Sequence, residues 1–112
     1  MDDENITDNE NITGNTYDKY ASTNFLERRM MAGFFDALDV CLTGLEPATV
    51  VEVGAGEGHV TGWLRTRFPG AAVVGLDLPD ASLREHWRAA GVPMFFGDAP
   101  KLPFPDRSID LV

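Results

Sequence analysis

The sequence predicts an α/β chain with a doubly wound parallel sheet. Two observations carry that expectation. Apolar, β-branched runs at 49–53, 71–76 and 92–96 alternate with amphipathic runs at 59–68 and 80–90, and glycine, proline and aspartate mark the joints. Strand, helix, strand, helix, strand in that order closes as parallel strands with right-handed crossovers.

Composition bounds the reading. The chain has 112 residues, 44% hydrophobic and 24% charged, which is ordinary for a globular chain with room for one domain. Nine Lys and Arg face eighteen Asp and Glu, a net charge of -9. Asp2, Asp3, Glu4, Asp8, Glu10 and Asp18 against Lys19 place -5 of it in the first 20 residues. That balance argues against nucleic acid or an anionic membrane surface as the main partner. No apolar run reaches the roughly 18 residues of a membrane helix, and the acidic N-terminus is not a secretory signal. A cytoplasmic location is the simplest expectation. Asn5-Ile6-Thr7 and Asn11-Ile12-Thr13 read as chance sequons in that setting. Cys41 is the only cysteine, which excludes an internal disulfide and a multi-cysteine metal site. No metal is expected.

Residues 1–16 read as a disordered acidic tail in which Glu-Asn-Ile-Thr occurs twice, with too little apolar surface to offset ordering entropy. Residues 17–112 read as one folded portion. A helix begins after Asn24, where Glu27 completes a capping-box spacing. Met31, Phe34, Leu38, Cys41 and Leu45 form its apolar stripe, and Gly44 is its stop. Thr49–Val53 is a buried strand, and Gly54–Gly58 is a glycine-rich turn. His59–Phe68 is a helix with Val60, Trp63, Leu64 and Phe68 inward, ended by Pro69-Gly70. Ala71–Leu76 is a strand closing on Asp77. Asp80 caps the next helix, with Leu83, Trp87 and Ala90 inward and Gly91 as its stop. Val92–Phe96 is a third strand, 97–108 a Pro- and Asp-rich loop, and Ile109-Asp110-Leu111-Val112 the start of a fourth strand. No covering helix follows, so the chain reads as truncated at strand four, the N-terminal half of a larger α/β protein. An uncovered sheet with an unfinished edge makes self-association through that edge the expected hazard.

Chemistry concentrates between the first strand and its helix. In Glu52-Val53-Gly54-Ala55-Gly56-Glu57-Gly58 the glycines permit a sharp turn and the close approach of a ligand to bare backbone. Asp77 ends the next strand, where a carboxylate can accept two hydrogen bonds from ribose hydroxyls. A dinucleotide fingerprint wants glycine at 59, where the residue is His, and a pyrophosphate site gains little from Glu52. A ligand with a cationic ammonium would be stabilised by that carboxylate. His59 reads as a helix-start residue. His86 and Arg65, Arg67, Arg84 and Arg88 read as a solvated face.

Glu-Val-Gly-Ala-Gly-Glu-Gly, then Val-Gly-Leu-Asp-Leu, then Gly-Asp-Ala-Pro-Lys-Leu-Pro-Phe-Pro-Asp-Arg-Ser-Ile-Asp-Leu-Val resembles class I S-adenosylmethionine-dependent methyltransferases, nearest the type 11 group, over about residues 50–112. The resemblance implies a Rossmann-like fold with strand order three, two, one, four, residues 17–112 as the N-terminal, cofactor-binding portion of such a domain, and S-adenosylmethionine as cofactor. It implies that Gly54, Ala55, Gly56 and Gly58 pass under the methionine part and that Glu52 orients its amino end. It further implies that Asp77 binds the ribose and Leu78 packs on the adenine. It implies too that Asp98 accepts a hydrogen bond from the adenine exocyclic amine and that the Ala99 N–H donates to a ring nitrogen. Tyr17-Asp18-Lys19-Tyr20-Ala21 resembles a segment that folds over the cofactor. Pro79 and Lys101 depart from the family pattern. The implied reaction is transfer of the sulfonium methyl to a small-molecule acceptor by in-line displacement, with no catalytic acid or base identified. The alternatives are a fragment that binds the cofactor without turnover and, further off, a nicotinamide-dependent oxidoreductase.

Overall fold

The computed structural model describes residues 24–112. The expected acidic tail and the Tyr17–Ala21 segment lie outside the described residues. The chain divides into two units between Thr43 and Gly44.

The described part of the first unit is helix α1, Phe25–Cys41. Asn24 caps it: its side-chain oxygen accepts from Leu26 N at 2.8 Å and Glu27 N at 3.1 Å, meeting two of the first-turn donors that no helical carbonyl can reach. The inward stripe differs from the expected one. Met31, Phe35 and Leu38 are the half-covered apolar positions and Leu42 is buried, whereas Phe34 and Leu45 are 43% and 45% exposed and Cys41 is exposed. A stripe read at three- and four-residue steps fits Phe34 or Phe35 equally; the structure selects the second. The helix ends at Cys41, and Gly44, at φ 83°, follows in the turn beyond it.

The second unit is a three-stranded parallel sheet, β1 (Thr49–Val53), β2 (Ala72–Asp77) and β3 (Met94–Phe96), in the order β1-β2-β3. Helix α2 (His59–Arg67) links β1 to β2, and α3 (Ala81–Ala90) links β2 to β3. The third strand starts two residues later than expected. Leu111 pairs with Val50 as an isolated parallel bridge on the other side of β1, which gives the expected order three, two, one, four as a bridge rather than a strand. The carboxylate of Asp110 anchors this return: its Oδ2 accepts from Ala48 N at 2.8 Å and Thr49 N at 3.2 Å, and its own N–H donates to Thr49 Oγ1 at 2.9 Å.

Apolar residues on both faces of β1 and β2 fit these two as the inner strands between β3 and the Leu111 bridge. Val50 and Val51 are both buried, as are Val73 and Leu76 on β2 and Leu64, Phe68, Leu83 and Trp87 on the helices. Ala90, expected inward, is exposed, and Thr61, a polar residue, is fully buried. Asp80 caps α3 through Ser82 N at 2.9 Å, and Gly91 closes it at φ 67°. Among the described residues no helix is long and apolar enough to cross a membrane.

One position sets how closely α2 approaches the sheet. A β-carbon on Gly75 would stand 2.5 Å from Thr61 Oγ1, 2.6 Å from Met94 Sδ and 2.9 Å from Ala55 Cβ. Met94 can yield, whereas Thr61 Oγ1 is bonded to Glu52 and the Ala55 β-carbon has no side-chain torsion to turn it away. Gly75→Ala should therefore cost about 1–3 kcal/mol by overpacking. Urea unfolding of the two proteins measures it, and a variant as stable as its parent would refute the close contact.

Candidate functional site

The candidate residues gather at the carboxyl ends of the three strands, the edge where open α/β sheets receive ligands. Val53, Leu76 and Phe95 stand side by side in the register, and Asp77 stands beside Phe96. The chain leaves β1 by a fork: Gly54 N and Ala55 N both donate to the Leu76 carbonyl at 2.9 Å. Gly54, Gly56 and Gly58 then take φ of 73°, 56° and 93°. This left-handed region is open to glycine and strained for other residues. A β-carbon on Gly54 or Gly56 would point into open space, so the turn presents bare backbone to whatever lies above it. Gly58 differs, because a β-carbon there would stand 3.1 Å from Val92.

Asp77 closes the site from β2. Its Oδ2 accepts from Gly56 N and its Oδ1 from Leu78 N, each at 2.7 Å. Both carboxylate oxygens are thus aimed by backbone donors, and each keeps a lone pair for a further donor. The Asp77 carbonyl accepts from Gly97 N at 2.9 Å, which draws the residues after β3 to the same edge. Leu78 follows Asp77 and is 57% exposed. Asp98 and Ala99 are exposed, and the Asp98 carbonyl accepts from Lys101 N at 2.9 Å.

Glu52 reaches the site from β1. Its Oε1 accepts from the buried Thr61 hydroxyl at 2.5 Å. Burial raises its carboxyl above the ordinary value; the Thr61 hydroxyl and N–H pull the other way, and the Asp77 charge adds a smaller upward push. Thr61 escaped the sequence reading because a threonine in a short amphipathic helix gives no signal until its carboxylate partner is placed.

Residues outside the predicted set also converge. Trp87 Nε1 donates to the Gly56 carbonyl at 2.7 Å. Glu57 lies between two imidazoles, 3.4 Å from His59 Nε2 and 3.5 Å from His86 Nε2. His86 is exposed as expected but touches the loop. The arginines are less idle than a solvated face implies: Arg84 lies over Phe96, Arg67 over Phe68, and Arg65 donates to the Gly91 carbonyl at 3.1 Å. An open groove of about 460 Å³, lined by Gly62, Arg65, Thr66, Pro69, Ala71, Ala90 and Val92, lies by the amino-terminal ends of β2 and β3, not at this edge. Among the described residues no group of three or more His, Cys, Asp or Glu could hold a metal ion.

This geometry suits a ligand with a hydroxyl-bearing ring, a backbone-hugging arm and a positive charge: Asp77 for the first, the open glycine turn for the second, the carboxylates for the third. Residues 50–112 match the family described as "Methyltransferase domain". The chain is 46% identical over 68 residues to malonyl-[acyl-carrier protein] O-methyltransferase 1 of Coxiella burnetii, covering 61% of this chain and 23% of that one. It is 38% identical over 71 residues to the fatty-acid O-methyltransferase of Mycolicibacterium smegmatis, covering 61% and 26%. Among solved structures, the PH0226 protein from Pyrococcus horikoshii shares the fold with a TM-score of 0.62 at 24% identity, covering 86% of this chain and 47% of that one. The chain spans about a quarter of the length of the curated relatives it first matches.

The raised Glu52 carboxyl has a measurable consequence. A carboxyl held above its unfolded value stabilises the fold below that value, and the contribution is lost as pH rises through the folded value. Charged Glu52 is thus the less stable form in the ligand-free fold. Glu52→Gln should match its parent at about pH 4 and gain on it toward about pH 7. Urea unfolding at both values reads the difference; parallel pH dependences would refute the effect of burial.

Proposed function

The chain belongs to the class I S-adenosylmethionine-dependent methyltransferases, and we propose that the protein transfers the methyl of that cofactor to an oxygen of a small acyl molecule. The observation that carries the proposal is the pairing of Asp77 with the glycine turn. A carboxylate aimed by two backbone amides stands beside a turn left open above Gly54 and Gly56.

The residues fit the cofactor part by part. Asp77 would accept from the ribose hydroxyls with the lone pairs its backbone donors leave. Gly54, Ala55, Gly56 and Gly58 would line the methionine arm, and Glu52 would face its ammonium. Leu78 would lie against the adenine, with Asp98 and the Ala99 N–H on the adenine edge. When bound, S-adenosylmethionine would supply a methyl already activated on a sulfonium, for displacement by an acyl carboxylate oxygen that carries no proton, with a neutral thioether as the leaving group. The task left to the chain is alignment, which can supply roughly 7–11 kcal/mol of a barrier. Glu52 and Asp77 hold the cofactor and need move no proton.

The acceptor class is supported by the relatives' names, malonyl-[acyl-carrier protein] O-methyltransferase and fatty-acid O-methyltransferase, each of which names an acyl compound methylated on oxygen. Free and protein-carried acyl groups share that chemistry.

S-adenosylhomocysteine should raise the melting temperature, because a ligand that binds only the native state stabilises it by mass action. NAD and NADP should not; a larger shift with either would overturn the cofactor assignment. Asp77→Ala removes an acceptor whose charge-assisted hydrogen bonds contribute about 1.5–3 kcal/mol each. Calorimetry should show S-adenosylhomocysteine binding at least about tenfold weaker, and unchanged affinity would dismiss the role of Asp77.

A further inference from the structure

The middle of the glycine turn is held from two sides. On one side of the Gly56 α-carbon its N–H donates to Asp77 Oδ2 at 2.7 Å. On the other its carbonyl accepts from Trp87 Nε1, also at 2.7 Å. These atoms belong to the two peptide planes that flank Gly56, so the pair of bonds fixes both backbone torsions of a residue at φ 56°. Glycine has no side chain to restrict those torsions; without the second anchor the turn is free to swing its N–H away from Asp77.

Trp87 is built to be that anchor. It is 7% exposed, and its ring lies 4.9 Å from that of Phe96, over which Arg84 sits. A buried indole N–H needs an acceptor, and the Gly56 carbonyl is the one it has. The preceding residue, His86, lies 3.5 Å from Glu57, so two successive residues of α3 meet two successive residues of the turn.

We propose that Trp87 is a positioning residue for the cofactor: its indole N–H locks Gly56 in the conformation that aims the Asp77 carboxylate. The inference rests on the assignment of Asp77 to the cofactor ribose. Trp87 touches no cofactor atom in this scheme; its effect travels through Gly56 to Asp77. A residue that merely fills the core would weaken binding by the same factor whether or not Asp77 is charged.

The test is a double-mutant cycle on the full chain, with S-adenosylhomocysteine as the probe and calorimetry as the readout. Trp87→Phe keeps an aromatic ring and removes the N–H. It should weaken binding about five- to tenfold, the scale of one hydrogen bond. In an Asp77→Asn background the same substitution should change affinity by less than about twofold. Equal losses in both backgrounds, or no loss in the parent, overturn the positioning role while leaving the cofactor reading intact. Absence of binding to the unaltered chain overturns both. If Trp87→Phe does not fold, coupling is read in the opposite direction. Asp77→Asn, with Trp87 retained, should speed solvent exchange of the Trp87 indole proton while the Val51 amide keeps its rate. An unchanged indole rate refutes the coupling.

Discussion

The Leu76 carbonyl accepts two hydrogen bonds from one turn, and much of the site depends on that fork. Gly54 N and Ala55 N both reach it at 2.9 Å. This ties the point where the chain leaves β1 to the last turn of the pleat in β2. It buries Ala55, sets Gly58 at the head of α2 and leaves Gly56 opposite Asp77. The fork is possible because α2 lies close to the sheet, and α2 lies close because position 75 carries no side chain. A small residue on β2 therefore governs the placement of a loop that belongs to β1.

Electrostatics at the strand ends follow from the same placement. Glu52, Glu57 and Asp77 converge on one edge, and each has different neighbours: the Thr61 hydroxyl, two imidazoles, two backbone amides. Burial at Glu52 disfavours its charged form and raises its carboxyl above the ordinary value. A cationic group arriving at the edge would offset that effect, which is the physical sense in which this arrangement suits an ammonium better than a phosphate.

The alternation of strands and helices, the glycine turn, Asp77 and the caps at Asn24, Asp80 and Gly91 were legible in the sequence, because each depends on local chemistry: period, backbone freedom, side-chain reach. What failed depended on neighbours distant in sequence. Cys41 and Ala90 have apolar character and suitable spacing, yet both are exposed. Thr61 looks like a surface residue and is fully buried because Glu52, nine residues earlier, accepts its hydroxyl. Trp87 was legible as an inward residue but not as a hydrogen-bond donor to a turn 31 residues away. Side-chain direction across a fold is a tertiary property, and spacing alone does not encode it.

The Asp110 anchor gives the chain an order of assembly. β1 lies between β2 and the segment around Leu111, so one of its edges is served by the next strand and the other by residues some 60 positions later. Closing the longer loop costs more chain entropy, and a ribosome delivers its far end last. While the intervening helices and strands are being made, β1 carries a row of unpaired backbone groups on that edge. Val51 N, later bonded to the Leu111 carbonyl at 2.9 Å, is among them. The edge built from residues 52–99 thus needs only the shorter loop closures, whereas sealing the other flank of β1 needs the longer one.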